Sequence, residues 1–362
     1  MLYNAIQRRL KGWAAACATV AGVMLASGAG LAGNARAAVD FDPARPGSQA
    51  AALVDELSEQ GLPRDYLVET LSRARHSQQV LDAMSGAAER RLEWPEYRAI
   101  FLTDERIEQG AAFISEHRDA LNKARDEYGV PPEVIAAIIG VETFYGRYKG
   151  SHRVLDSLAT LAFEHPSRGE FFRGELAAFL RLAHEQGKDP GALMGSYAGA
   201  MGYPQFIPTS YDAYAVDFDD DGRRDLWHNP VDAIGSVAHY FAEHGWRPGA
   251  AIYQLALGPA TPPEAIAFNQ TTAPQLTLGE AAAAGLYLPG GALATQIQYA
   301  DRRIVALRLN MPDGAPQYRL GGYNFYVITR YNHSHLYAMA VAELARAIAA
   351  LPRPFPEDEE PA

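Results

Sequence analysis

The sequence predicts a mainly α protein of the α+β class, a helical body with a small β-containing segment toward its C-terminal end. Three observations predict it. Apolar residues recur at helical spacing, punctuated by cap and stop signals, from Gln49 to Gly245. Within that span, residues 129–146 (Gly-Val-Pro-Pro-Glu-Val-Ile-Ala-Ala-Ile-Ile-Gly-Val-Glu-Thr-Phe-Tyr-Gly) form one short helix with almost no polar face. From Ala251 the composition shifts to Ala, Pro, Thr and Gly, and strand-like runs follow at Ile304–Leu309, Gln317–Leu320 and Tyr323–Ile328, with Asp313-Gly314 as a turn. A chain of 362 residues, 48% hydrophobic, can bury a sizeable core and form more than one lobe.

Residues 1–37 read as an export leader. Arg8, Arg9 and Lys11 precede an uncharged stretch from Gly12 to Ala35, and Ala35-Arg36-Ala37 fits small-x-small cleavage, so the mature chain is expected to begin near Ala38. A retained membrane anchor is the competing reading, weakened by the Ala and Gly content of the run. Cys17 is the only cysteine; it follows Ala14-Ala15-Ala16 and the charged segment, and reads as not lipidated. The charge is −11, from 32 basic and 43 acidic residues; without the leader cations Arg8, Arg9, Lys11 and Arg36, 28 basic residues remain and the charge is −15. That balance argues against a nucleic-acid partner, and an anionic polymer would have to be held by local contacts.

After a Pro- and Gly-containing approach, helices are expected at Ala51–Gln60, stopping at Gly61, and from Pro63 to Arg75. A longer one is expected from Asp104 to Tyr128, with Ile107, Ala111, Ile114, Leu121 and Ala124 on one face. In the next helix Pro131 and Pro132 suit the first turn, where a missing N–H costs nothing. Glu142 lies three and four residues after Ile139 and Ile138, so its carboxyl continues an apolar surface and its pKa should be raised. A carboxylic acid kept protonated near neutral pH can protonate a leaving oxygen; a purely structural buried Glu is the competing reading. Asp156 is expected to cap Ser157–Phe163. Arg168–Gln186 carries Phe171, Phe172, Leu176, Phe179, Leu180 and Ala183 at helical spacing, a stripe that reads as packing more readily than as a sugar floor.

Residues 196–211 break the helical pattern. Gly195, Gly199, Gly202, Pro204 and Pro208 interrupt any helix, while Ser196, Tyr197, Met201, Tyr203, Gln205 and Tyr211 offer hydrogen bonds and flat surfaces, which suits a sugar-binding loop; a turn-rich connector is the alternative. Asp217, Asp219, Asp221 and Asp225 then stand at positions 1, 3, 5 and 9 of a calcium-type loop with Gly222 at 6. Position 12 is His228 rather than Glu, and Asp232, at the start of the helix Asp232–His244, is the nearest acid to complete the sphere. A solvated acidic turn is the competing reading. Arg330-Tyr331-Asn332-His333-Ser334 leads into a last helix through Ala350 and an acidic tail, 352–362, expected to be disordered. Zinc, nucleotide and Gly-x-Ser-x-Gly motifs are missing, and Asn332 suits either a turn cap or an acetamido contact.

Gly140-Val-Glu142-Thr-Phe-Tyr-Gly146, Gly195-Ser-Tyr-Ala-Gly-Ala-Met-Gly-Tyr-Pro-Gln-Phe-Ile-Pro-Thr-Ser-Tyr211, Asp225-Leu-Trp227, Asp232-Ala-Ile-Gly-Ser-Val-Ala238 and Tyr331-Asn-His-Ser334 together resemble the membrane-bound lytic transglycosylase B family, roughly from Gln49 to Leu351. The resemblance implies a periplasmic, soluble enzyme that cleaves the β-1,4 bond between N-acetylmuramic acid and N-acetylglucosamine in peptidoglycan, leaving 1,6-anhydro ends. It implies a lysozyme-like helical core at 129–250 carrying the calcium loop, a flanking α lobe at 38–128 joined by the helix 334–351, and a small β lobe at 251–330. It further implies Glu142 as acid then base and Arg168, Ser196, Tyr197, Met201, Gln205, Tyr331, Asn332 and Tyr337 along the glycan. Structural Ca2+ would be held by Asp217, Asp219, Asp221, the Arg223 carbonyl and Asp232, with no organic cofactor. Two departures stand out: Ser167 replaces an arginine that some relatives carry, and the lipoprotein cysteine is missing. A hydrolytic muramidase and a non-catalytic, calcium-stabilised wall-binding protein are the rival readings. Glycan strands are the expected partner, cell-wall synthesis or division proteins are possible further ones, and the chain is expected to be a monomer.

Overall fold

The structure is a computed structural model that describes residues 41–89, 92–289, 300–312 and 314–351. The expected leader, the acidic tail and Asp313 of the expected turn lie outside them. The described chain is mainly helical and divides into two compact units, one of residues up to Arg91 with Gly146–Ser236, the other of Leu92–Tyr145 with Val237 onward.

The first unit opens with α1 (Gln49–Glu59), α2 (Arg64–Ser72) and α3 (Gln78–Glu89). Ser48 caps α1 by accepting the Ala51 N–H at 3.0 Å. The chain then enters the second unit with α4 (Trp94–Phe101), α5 (Asp104–Glu116), α6 (Arg118–Tyr128) and α7 (Pro132–Thr143). The single helix expected over 104–128 is two, broken at His117 (φ −108°, ψ 32°). No core residue falls between Phe113 and Leu121, so nothing apolar holds the two faces in one register. Ten residues of α7, Val134 to Thr143, are buried; burying each of Ile135, Ile138 and Ile139 contributes roughly 1.5–3 kcal/mol.

Back in the first unit, β1 (His152–Arg153) pairs antiparallel with β2 (Met194–Gly195) around α8 (Val154–Glu164) and α9 (Gly169–Glu185). α8 starts before the expected cap: Asp156 sits in its first turn, paired with Arg153 at 2.9 Å and accepting the Arg75 N–H at 3.0 Å. α10 (Pro208–Tyr214) packs on α9, and α11 (Pro230–Glu243) carries the chain to the second unit.

There β3 (Tyr253–Ala256), β4 (Leu276–Thr277), α12 (Leu278–Ala283), β5 (Arg303–Leu309) and β6 (Gln317–Gly321) form an antiparallel sheet of order β3-β6-β5-β4. Leu307 opposes Arg319 and Ala306 opposes Leu320. Ile304, Ala306, Tyr318 and Leu320 bury one face with Leu278 and Leu286. The stretch expected as a third strand is helical instead, α13 (Tyr323–Tyr331). Its β-prone Tyr, Phe, Val and Ile are overridden by burial at helical spacing, Asn324, Phe325 and Ile328, and by the Asn324 amide, which donates to the Arg247 and Ala250 carbonyls and accepts the Arg247 N–H. α14 (His335–Ala350) closes the unit and packs on α7. Grouping by packing therefore differs from the expected segments: 92–128 belongs with α7, because α5, α6 and α14 surround that helix. No helix among the described residues is long and apolar enough to cross a membrane.

Candidate active site

Glu142 lies in the last turn of α7 and is 6% exposed. The Tyr337 hydroxyl donates to Glu142 Oε1 at 2.5 Å. Burial pushes the carboxyl from 4.5 up to about 7, against the opposing pull of the Tyr337 hydrogen bond; no neighbouring acid contributes. The carboxyl is thus poised to exchange a proton near neutral pH.

Tyr337 is fully buried and is placed by the start of α14, where Ser334 caps the helix by accepting the Tyr337 N–H at 3.3 Å. The Tyr331 ring lies nearly parallel to it, centroids 6.5 Å apart, and meets Tyr240 edge-on at 4.9 Å. Burial, then the Glu142 charge, raise the Tyr331 phenol well above its ordinary value. Asn332 ends α13 in extended conformation, 8% exposed, with its carbonyl accepting the Ser334 N–H at 2.7 Å. The second unit therefore holds Glu142, Tyr331, Asn332 and Tyr337.

The polar loop belongs to the first unit. Ser196, 1% exposed, accepts the Ala198 and Ala200 N–H groups on its hydroxyl oxygen at 3.2 and 3.0 Å, leaving its own O–H as a donor. Gln205 sits at φ 52°, and its amide donates to the Gly202 carbonyl at 2.9 Å and the Lys149 carbonyl at 3.3 Å. Gly202 has φ 70°, and a Cβ there would stand 2.2 Å from the Leu226 carbonyl oxygen, so only glycine fits. Tyr197 and Met201, expected to offer flat surface, are 4% and 0% exposed and present almost none to solvent. Arg168 sits on another element, the N-cap of α9, with its guanidinium 4.7 Å from the Phe171 centroid and 5.1 Å from that of Phe172.

Asp217, Asp219 and Asp221 bring carboxylate oxygens within 4.8 Å of one another, the only such cluster among the described residues. The turn is set by Asp217, which accepts the Asp221 and Gly222 N–H groups, and by Asp221, which accepts that of Arg223. Asp232, expected as a further ligand, is not part of the cluster: it is fully buried and accepts the Phe218 N–H at 2.8 Å and the Asp225 N–H at 2.7 Å, pinning both ends of the loop. Three converging acids on a glycine turn fit a hard cation.

One buried acid escaped the sequence reading. Glu175, 3% exposed, accepts the Thr209 N–H and hydroxyl at 3.0 and 2.7 Å, so both oxygens are occupied in holding the start of α10. The rule that singled out Glu142 would have found it, since Phe171, Phe172 and Phe179 stand at helical spacing around it.

Residues 47–346 match the family described as the transglycosylase SLT domain. The chain belongs to that family. It is 44% identical over 302 residues to the membrane-bound lytic murein transglycosylase B of Escherichia coli (strain K12), covering 81% of this chain and 80% of that protein. Among solved structures it resembles the soluble lytic transglycosylase SltB1 from Pseudomonas aeruginosa, with TM-score 0.76 and 46% identity over 83% of this chain and 98% of that one. It also resembles the Escherichia coli lytic transglycosylase Slt35 in complex with calcium, with TM-score 0.74 and 44% identity over 83% of this chain and 92% of that one. The fold of this transglycosylase is accordingly the lysozyme-like one that the family resemblance implies.

Proposed function

We propose that this enzyme is a lytic transglycosylase of peptidoglycan that cleaves the β-1,4 bond between N-acetylmuramic acid and N-acetylglucosamine, with Glu142 as acid and then base. The observation that carries the reading is the buried carboxyl, raised to about 7 and tethered by Tyr337. Protonated Glu142 gives its proton to the glycosidic oxygen as the bond to the muramoyl anomeric carbon breaks. As carboxylate it then takes the proton of the muramoyl C6 hydroxyl, whose oxygen bonds to that same carbon. The acid is regenerated, a 1,6-anhydro end forms, and no water is consumed. A single carboxyl suffices where the substrate N-acetyl group stabilises the cation-like intermediate in place of the second carboxylate of most glycosidases.

Tyr337 serves the first half of this sequence, since its O–H stabilises the carboxylate left after proton donation. Arg168, Ser196, Gln205, Tyr331 and Asn332 are read as glycan-binding residues, supported by their match to the family motifs, while the buried Tyr197 and Met201 would shape the loop rather than touch the glycan. Of these, Ser196 keeps a donor for a sugar oxygen and Arg168 a stacked cation for an anionic substituent. Asp217, Asp219 and Asp221, with the Arg223 carbonyl, would hold calcium in a structural role; the bound ion would neutralise the acidic turn. The leader-like start supports export to the periplasm. The reading is tested by digesting purified glycan strands with the wild type and Glu142→Gln: the wild type should release anhydro ends and the variant none.

A further inference from the structure

Directly after Glu142 the backbone does something costly. Phe144 (φ 51°) and Tyr145 (φ 58°) are consecutive non-glycine residues in the left-handed region, and Gly146 follows at φ 85°. Each bulky residue there costs about 1–2 kcal/mol, so the surrounding structure must over-determine the corner. It does so through α5. The Phe144 N–H donates to the Gly140 carbonyl at 3.1 Å and the Tyr145 N–H to that of Ile139 at 3.3 Å, wrapping the last turn of α7. Arg106 donates from Nε to the same Gly140 carbonyl at 3.1 Å and from Nη1 to the Ile100 carbonyl, and its guanidinium lies 4.6 Å from the Phe144 centroid and 5.3 Å from that of Phe101. The Tyr145 hydroxyl returns to α5, donating to the Arg106 carbonyl at 2.9 Å. Two glycines make room for that phenol: a Cβ on Gly140 would stand 2.6 Å from the Tyr145 Cζ, and one on Gly110 2.5 Å from its hydroxyl oxygen.

From this geometry we infer that Arg106 and Tyr145 are positioning residues for the reaction, a clamp between α5 and the end of α7 that sets the direction of the Glu142 side chain. Gly140 and Phe144, both of which the guanidinium grips, flank Glu142 at two residues on either side. The clamp holds the turn that carries the carboxyl and has no part in proton transfer itself. A shift of about 1 Å in a reacting group can cost on the order of 100-fold in rate, so a clamp of this kind shows in turnover more than in substrate binding.

The inference rests on Glu142 being the acid, and its test separates the two. Tyr145→Phe removes one oxygen, and Arg106→Lys keeps the charge but loses the planar fork. Both are assayed with Glu142→Gln on soluble, uncrosslinked glycan strands, reading kcat and KM from the release of anhydro ends below the melting transition of each variant. The expected result is a kcat reduced roughly 10- to 100-fold in each clamp variant with KM within about twofold of wild type. If Arg106→Lys does not fold, Tyr145→Phe decides alone. A Tyr145→Phe enzyme with wild-type kcat, or one whose loss lies in KM, overturns the clamp while leaving Glu142 in place provided Glu142→Gln is inactive. An active Glu142→Gln overturns the assignment on which the clamp depends.

Discussion

Replacing Glu142 by Gln should stabilise the protein at the pH where it abolishes activity, and the size of that gain follows from the site. The carboxyl is raised from 4.5 to about 7 chiefly by burial. Its folded-state pKa thus lies above its unfolded one, so the unfolded chain releases the proton first. Wild-type stability at this residue is fully present below pH 4.5 and is lost as pH rises toward 7. At about 1.4 kcal/mol per pKa unit, the loss by pH 8 is on the order of 3 kcal/mol. Gln keeps the shape, leaves a carbonyl oxygen for the Tyr337 hydroxyl at the position now 2.5 Å away, and carries no charge to bury. Urea unfolding of both proteins between pH 4 and pH 8 reads the difference, in which every other titrating group cancels. The two should be close at pH 4, with the variant gaining steadily to about 3 kcal/mol at pH 8. A difference that stays flat, or a wild type more stable at pH 8, would refute the claim that burial makes this acid reluctant to ionise.

Other expectations concern the partner hydroxyl and the acidic turn. Tyr337→Phe removes the hydrogen bond that holds the Glu142 pKa down, so the alkaline fall of the kcat–pH profile should move to higher pH while kcat drops roughly tenfold or more; an unmoved alkaline limb would contradict it. Calcium at about 100 times its dissociation constant should stabilise the wild type by about 2.7 kcal/mol relative to chelator. Asp221→Ala should lose that response in a melting experiment, because it removes one of three converging carboxylates; a variant that still responds would place the ion elsewhere.

Local chemistry made much of this legible. An acid three and four residues from buried isoleucines had to be buried with them, and Glu142 is. The acidic positions around Gly222 had to turn sharply, and the three carboxylates converge. What sequence could not show depends on residues far apart in the chain. Tyr337 reaches Glu142 across 195 positions, and Arg106 reaches Gly140 across 34. Asp232 reads as a ligand by proximity, and its two backbone N–H partners, Phe218 and Asp225, are supplied only by the folded loop. The stretch from Tyr323 has the residues of a strand, and tertiary burial of Phe325 and Ile328 makes it a helix. His117 interrupts a run whose polar residues alone are compatible with one long helix.

The most direct test of the central claim is the mass of the products. Purified peptidoglycan digested to completion and analysed by mass spectrometry should yield muropeptides lighter by one water than hydrolytic products, carrying 1,6-anhydromuramic acid ends, and the same digestion with Glu142→Gln should yield none. Free reducing muramic acid ends from the wild type, or anhydro products from the variant, would contradict the account.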